Sequence, residues 1–209
     1  MHSSITVSKL VDESLTGDLI LFNSRNTWYS PIIEYFTRSK FSHIGMVVKG
    51  VKVDGQSVDM CMLESGREPY PDTIDERYVF GVRASPLSKV FEDYEPGRDG
   101  YIYYRQLTCH RNADFYERVG AIINNVYGDS YDLLPQDWLR SAFGGDIGET
   151  QRTSSFWCSA LIAYVYDELG FVDRETPWTL IQPTQFSYYE GRQLRLRDVD
   201  LEPELLVTK

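Results

Sequence analysis

Residues 42–65 read SHIGMVVKGVKVDGQSVDMCMLES and carry the clearest strand pattern in the chain. Two runs rich in β-branched and apolar residues, 42–50 and 57–65, flank the dipeptide Asp54-Gly55, which favours the positive backbone angles of a tight hairpin turn. The stretch therefore predicts a β-hairpin in which Val53 lies opposite Gln56.

Three further segments predict strands beside this hairpin. They are a short apolar run behind a turn, Gly17 to Phe22, and two aromatic or β-branched runs, Tyr78 to Ala84 and Tyr101 to Leu107. Together with the hairpin they predict a largely antiparallel sheet of about five strands.

Helical spacing replaces the strand pattern after these runs. Apolar residues recur at helical intervals over 115–126, between Asn112 and Gly128, which predicts a helix with both ends marked. The range 155–169 is apolar almost all round, so we expect a central, buried helix that is capped by Ser155 and ends at Gly170. Shorter helices are predicted over about 31–40, behind Ser30, and over 133–143.

Strands followed by helices indicate an α+β fold. No linker, internal repeat or low-complexity segment divides the chain, so we expect one domain over residues 1–209. Aromatic residues make up 14% of the sequence, which indicates either a thick core or a cleft that holds organic groups.

The charge balance excludes some classes of partner. With 21 basic and 31 acidic residues the net charge is −10, which makes binding to nucleic acid or an anionic membrane surface unfavourable and favours neutral or amine-bearing partners. Three widely spaced cysteines do not form a disulfide framework, and the sequence shows no signal peptide and no run long enough to cross a bilayer. We therefore expect free thiols and a cytoplasmic location.

The histidines and cysteines leave few candidates for nucleophilic catalysis. His2 lies at the terminus and His110 in a predicted loop, whereas His43 lies within a predicted strand, either as a core histidine or as a catalytic base. Cys158 lies in the first turn of the central helix, where amide groups and the helix dipole stabilise a thiolate. A buried structural cysteine is the alternative at this position.

The hairpin register predicts a third member of this group. Glu64 would lie opposite Gly45, which shares a face of the strand with His43, so Glu64 is a diagonal neighbour of His43 at a Cα separation of about 7–8 Å. The carboxylate could then orient the imidazole ring. A bulge or a slip of one residue would instead leave Glu64 as an exposed carboxylate at a strand end.

Four segments in this order resemble a known family: GDLILF at 17–22, SHIGMVV at 42–48, LES at 63–65 and FWCSALI at 156–162. They are similar to the circularly permuted NlpC-type papain-like cysteine hydrolases of the YiiX/YebB-like branch, which has bacterial and poxvirus relatives. The resemblance covers roughly residues 17–186. The permutation is visible in the chain order, because the histidine precedes the cysteine.

The resemblance implies a permuted papain-like fold in which Cys158 is the nucleophile, His43 the base and Glu64 the orienting residue. It implies cleavage of a peptide or peptidoglycan-type amide bond through a thioester, without a cofactor or metal ion. Two alternatives remain open: a lipid acyltransferase or esterase that uses the same three residues, and a non-catalytic binding module on the same fold. The substrate would be a small molecule or peptide that is neutral or carries an amine.

Overall fold

The computed structural model describes residues 3–24, 40–94, 100–131, 155–173, 175–189 and 193–209. Its strands in chain order are β1 (Ser4–Thr6), β2 (Leu19–Ser24), β3 (His43–Val48), β4 (Val51–Val53), β5 (Gln56–Val58), β6 (Cys61–Arg67), β7 (Phe80–Pro86), β8 (Gly100–Arg105), β9 (Leu107–Thr108), β10 (Ser130–Tyr131), β11 (Ser155–Phe156), β12 (Asp200–Leu201) and β13 (Leu205–Thr208). Nine of these form one mixed sheet in the order β1-β13-β8-β2-β3-β6-β7-β10-β11. The remaining four form two small two-stranded sheets.

The middle of the large sheet is antiparallel throughout. Strands β8, β2, β3, β6 and β7 are neighbours in that order, and they correspond to the five strand segments expected from the sequence. The prediction of about five strands is therefore confirmed for the centre of the sheet but wrong for its extent. Short strands extend it at both edges, where β1 pairs with β13 and β10 with β11 in parallel.

The hairpin keeps one register from its tip to the sheet. Asp54 and Gly55 both have positive φ angles, 47° and 78°, as the tight turn requires. The paired residues are Val53 with Gln56, Val51 with Val58, Val48 with Cys61 and Met46 with Leu63. The pairing predicted from the turn dipeptide is thus present, although the ladder is interrupted between the tip and the sheet.

Four α-helices occur among the described residues: α1 (Val7–Glu13), α2 (Leu87–Asp93), α3 (Ala113–Val126) and α4 (Cys158–Glu168). Two short 3₁₀ helices, Trp178–Leu180 and Pro183–Phe186, follow α4. Apolar residues of α3 and α4 pack on one face of the sheet, and those of α1 and α2 pack on the other. The mixed sheet with helices on both faces is compatible with the α+β class expected from the sequence.

The helix α3 has the predicted ends. Asn112 caps it, because its side-chain oxygen accepts a hydrogen bond from the Phe115 N–H at 2.9 Å, and Gly128 follows with a φ of 81°. None of the helices in the described ranges is long and apolar enough to cross a membrane. The helices predicted over 31–40 and 133–143 lie outside the described residues, apart from Lys40.

The N-cap predicted for α4 is wrong by two residues. Ser155 does not cap the helix, because Ser155 and Phe156 form β11, which pairs with Ser130 and Tyr131 of β10. The N-cap is Trp157 in extended conformation, so Cys158 becomes the first helical residue. At the other end Gly170 adopts a φ of 81°, as expected for a residue that ends a helix.

A buried carboxylate fixes the start of β2. Asp18 has no exposed surface, and each of its two side-chain oxygens accepts two hydrogen bonds. The four donors are Leu15 N, Tyr104 Oη, Leu107 N and Arg111 Nη2. Because these donors come from three separate parts of the chain, Asp18 joins β2 to β8, β9 and the segment before α3.

Candidate functional site

The structure brings His43 and Glu64 together across two neighbouring strands. The ladder between β3 and β6 ends at Met46 and Leu63, and beyond that point a side-chain contact spans the two strands. His43 Nε2 donates a hydrogen bond to Glu64 Oε2 at 2.6 Å. Glu64 has no exposed surface, so it is not the exposed strand-end carboxylate of the alternative interpretation.

The backbone beside His43 leaves room for this contact. A Cβ atom at Gly45 would lie only 2.4 Å from Met62 Cγ, so the methionine packs directly over the glycine. A Cβ at Gly66 would lie 3.6 Å from His43 Cε1. Because Gly45 has no side chain, β3 and β6 can approach closely beside His43. This close approach explains the glycine of the Ser-His-Ile-Gly motif.

Cys158 is the third member of the group. Its side chain is 3% exposed, and it interacts with the His43 ring both as a hydrogen-bond partner and as a charge. Burial alone would lower the pKa of His43, but the hydrogen bonds with Cys158 and Glu64 raise that pKa well above its usual value. Cys158 and Glu64 therefore both favour the charged form of the His43 ring.

The N-terminus of α4 presents backbone donors beside Cys158. The first backbone hydrogen bond of the helix joins Leu161 N to Trp157 O at 3.1 Å, so the amides of residues 158–160 precede the intrahelical ladder. Ser159 anchors this turn by donating from Oγ to Ile181 O at 2.7 Å. The amides thus lie in a fixed position next to the sulfur atom.

The other two cysteines lie in settings that disfavour a thiolate. Cys61 is 1% exposed, and burial raises the pKa of its thiol. Burial also raises the pKa of Cys109, although Arg111 nearby acts in the opposite direction. Both settings fit packing roles.

Two residues that the sequence analysis did not identify form a hydrogen-bonded series that ends at Oε1 of Glu64, the oxygen that does not contact His43. Ser85 donates a short hydrogen bond from Oγ to Glu64 Oε1, and Arg83 Nε donates to Ser85 Oγ at 3.0 Å. Arg83 is fully buried and lies directly opposite Glu64 in the β6–β7 ladder. The signal that could have identified them is the register of this second strand pair, because Glu64, Arg83 and Ser85 share one face of the sheet.

A cavity of about 250 Å³ opens against the His43–Glu64 pair. Its described walls are mostly apolar or aromatic, with two further carboxylates: Phe22, Met62, Glu68, Pro69, Tyr70, Val90, Asp93 and Tyr94. Burial and the nearby charge of Glu64 raise the pKa of Glu68 to about 7. The cavity therefore offers aromatic surface and carboxylates to a ligand, and none of its described walls is a lysine or an arginine.

Within the described parts of the chain, no three histidine, cysteine or carboxylate side chains converge as metal ligands would. The site consists instead of a thiol, an imidazole and a carboxylate in series, with backbone amides beside the thiol. Such a series can transfer protons to and from a sulfur nucleophile. A search for resemblance to known proteins finds no family model that matches this chain and no matching sequence among curated proteins.

Proposed function

We propose that this protein is a cysteine hydrolase that cleaves an amide bond through a thioester intermediate. The observation that carries the proposal is the convergence of Cys158, His43 and Glu64, with 2.6 Å between His43 Nε2 and Glu64 Oε2. A nucleophile, a base and a group that orients the base are the three parts required for this chemistry. All three side chains are buried, so water competes little with their mutual contacts.

His43 and Cys158 supply the first half of the reaction. Because His43 Nε2 bonds to Glu64, Nδ1 is the nitrogen that exchanges a proton with the Cys158 sulfur. The thiolate attacks the carbonyl carbon, and the amides at the start of α4 hold the resulting oxyanion. The C–N bond then breaks, and the amine leaves with the proton from Nδ1.

Water completes the reaction at the same residues. The neutral imidazole takes a proton from a water molecule, which attacks the thioester carbonyl. The C–S bond breaks, the carboxylic acid leaves, and the sulfur and imidazolium return to their starting states. Glu64 keeps the ring in one orientation through both halves of the reaction.

The carboxylates in the cavity walls support the proposal that the substrate carries an amine. Asp93 and, in its ionised form, Glu68 lie in its walls beside three aromatic rings, and carboxylates with aromatic faces attract a positively charged amine. The net charge of −10 acts in the same direction over longer distances. A reducing compartment such as the cytoplasm would keep the Cys158 thiol available.

The arrangement also supports the permuted papain-like fold. The nucleophile lies at the N-terminus of a helix that packs on a sheet, and the base lies on a strand of that sheet. The orienting residue lies on the adjacent strand, as in papain-like enzymes, while the chain order is histidine, glutamate, cysteine. The proposal therefore includes the fold family that the sequence motifs resemble.

Alkylation by iodoacetamide at about pH 6, followed by peptide mapping, tests the nucleophile. We expect Cys158 to be labelled well before Cys61 and Cys109, because Cys158 interacts with the His43 ring whereas burial raises the pKa of the other two thiols. Labelling at Cys61 or Cys109, with Cys158 unmodified, would contradict the proposal.

A second measurement separates hydrolysis from simple thiol reactivity. With p-nitrophenyl acetate we expect p-nitrophenolate release and an acetyl thioester on Cys158 that water removes, and neither in Cys158→Ala. Turnover of a panel of peptide amides distinguishes an amidase from an esterase. A stable lipid thioester on Cys158 after exposure to phospholipid would instead indicate the acyltransferase.

A further inference from the structure

The two oxygens of Glu64 have different partners. Oε2 accepts the hydrogen bond from His43, and Oε1 accepts the one from Ser85. The terminal torsion of a glutamate is broad and has no strongly preferred angle. The bond at Oε1 therefore decides whether Oε2 points at the imidazole ring.

Arg83 determines the direction in which the Ser85 hydroxyl points. Its Nε donates to Ser85 Oγ at 3.0 Å, and its Nη2 donates to Tyr70 O at 2.9 Å. A hydroxyl has a single proton, and because Arg83 occupies an acceptor position of the oxygen, that proton is directed at Glu64. Successive hydrogen bonds of this kind polarise one another.

The guanidinium is kept away from direct contact with the carboxylate. Arg83 lies opposite Glu64 in the ladder, yet its described hydrogen bonds go to Ser85 and Tyr70, and it stacks over the Tyr70 ring at 5.2 Å. A direct ion pair would compete with the imidazolium for the carboxylate charge. With Ser85 between them, Arg83 orients Glu64 and leaves Oε2 to His43.

We propose that Ser85, held by Arg83, is a positioning residue for the His43–Glu64 pair. The inference rests on the proposed function insofar as that pair serves Cys158. The series Arg83, Ser85, Glu64, His43 and Cys158 then forms one continuous chain of contacts from a buried cation to the nucleophile. Ser85 acts only through Glu64 and touches neither the sulfur nor the imidazole in this scheme.

The test compares Ser85→Ala with a matched control, Ser187→Ala. Ser187 is also fully buried and also donates a short hydrogen bond to a buried glutamate, Glu204, which does not belong to the site. We measure the pH dependence of Cys158 alkylation by iodoacetamide and the Tm of each variant. A structural role alone would lower Tm in both variants and leave the pH profile unchanged.

In Ser85→Ala we expect the rate of alkylation at about pH 6 to fall by about tenfold, with the acidic limb of the profile moved to higher pH, because the imidazolium loses its oriented carboxylate. In Ser187→Ala the rate stays within about twofold of the wild type. Ser85→Thr keeps the hydroxyl, so we expect it to show the wild-type pH profile of Cys158 alkylation. This variant provides the test if Ser85→Ala does not fold. Superimposable profiles for Ser85→Ala and the wild type would overturn the inference.

NMR titration of His43 separates this inference from the proposed function. The chain has three histidines, so the His43 ring signals can be assigned by substitution. A pKa of His43 that falls in Ser85→Ala and not in Ser187→Ala supports the positioning role even if Cys158 proves unreactive in the wild type. A reactive Cys158 with an unchanged His43 titration in Ser85→Ala would refute the positioning role and leave the hydrolase intact.

Discussion

Asp18 and Glu64 are both carboxylates without exposed surface, and they lie in two regions that use them differently. Asp18 accepts four hydrogen bonds from two backbone amides, a tyrosine and an arginine. Glu64 accepts its described side-chain bonds from Ser85 and from His43. The decisive difference is the type of partner, because an imidazole has an ordinary pKa close to neutral pH, whereas none of the partners of Asp18 does.

The comparison separates two uses of a buried negative charge. Burial raises the pKa of Asp18, and its four donors, Arg111 among them, only partly offset that effect, so this charge serves to hold segments of chain together. The carboxylate of Glu64 instead binds His43, and hydrogen bonds and charge interactions with Cys158 and Glu64 raise the pKa of that histidine well above its usual value. Burial by itself therefore does not mark a functional carboxylate; the titration behaviour of its partner does.

Replacing Glu64 by glutamine should have the largest effect on chemistry. The amide removes the negative charge that stabilises the imidazolium and can hold the ring in the wrong tautomer. We expect acetylation of Cys158 by p-nitrophenyl acetate to slow by on the order of 10²–10⁴-fold. Glu204→Gln changes a buried glutamate outside the site and serves as the matched control, with a rate close to that of the wild type.

A rate for Glu64→Gln within a few-fold of the wild type would contradict the distinction between the two carboxylates, because Glu64 would then be a structural carboxylate like Asp18. Circular dichroism and urea unfolding of both glutamine variants establish that each is folded under the conditions of the assay.

Replacing Asp18 by asparagine should affect stability rather than chemistry. Two hydrogen-bond donors face each of the two oxygens of Asp18. An asparagine keeps only one of these oxygens, so its NH₂ group would face N–H or O–H donors in place of the other. We expect the free energy of unfolding to fall by about 3 kcal/mol, measured by urea unfolding. The pH profile of Cys158 alkylation in the folded protein should match the wild type, and a displaced profile would show that the two regions are coupled.

Glu68 is the third carboxylate in the comparison and should show the smallest effect. No hydrogen-bond donor among the described residues offsets its burial, and its pKa is raised to about 7. The folded protein therefore binds a proton at Glu68 that the unfolded chain releases, so the stability linked to this group is present below pH 4.5 and is lost as pH rises through about 7.

Glu68→Gln should remove this loss. We expect the variant to match the wild type at about pH 4 and to exceed its free energy of unfolding by about 1–2 kcal/mol at pH 8, since partial exposure of the side chain screens the full effect. Urea unfolding at a series of pH values measures the difference. A constant difference at all pH values would show that the carboxylate is not the cause.

The sequence predicts best those features that depend on near neighbours. The Asp54-Gly55 turn and the alternation around it are local, and they suffice to bring Glu64 to the strand beside His43. The start of α4 depends on distant residues instead. Ser155 is a good cap in isolation, but β10 is available to pair with it, and that tertiary contact overrides the local preference.

Arg83 and Ser85 illustrate why the rest of the site could not be predicted. Both belong to β7, whose register with β6 follows from pairing across a long connection and not from a turn dipeptide. A fully buried arginine also contradicts the usual exposure of this residue type, so composition rules place it at the surface. Only the observed ladder shows that it lies opposite Glu64.

The parallel pairing of β1 with β13 has a consequence for the order of events during synthesis. Ile5 pairs with Val207, about 200 residues later, and both side chains are buried. β1 therefore cannot pair in the sheet until β13 has been synthesised, while β2, β3, β6 and β7 can already associate. Closing so long a loop costs conformational entropy. The edge of the sheet at β1 is thus completed after its centre.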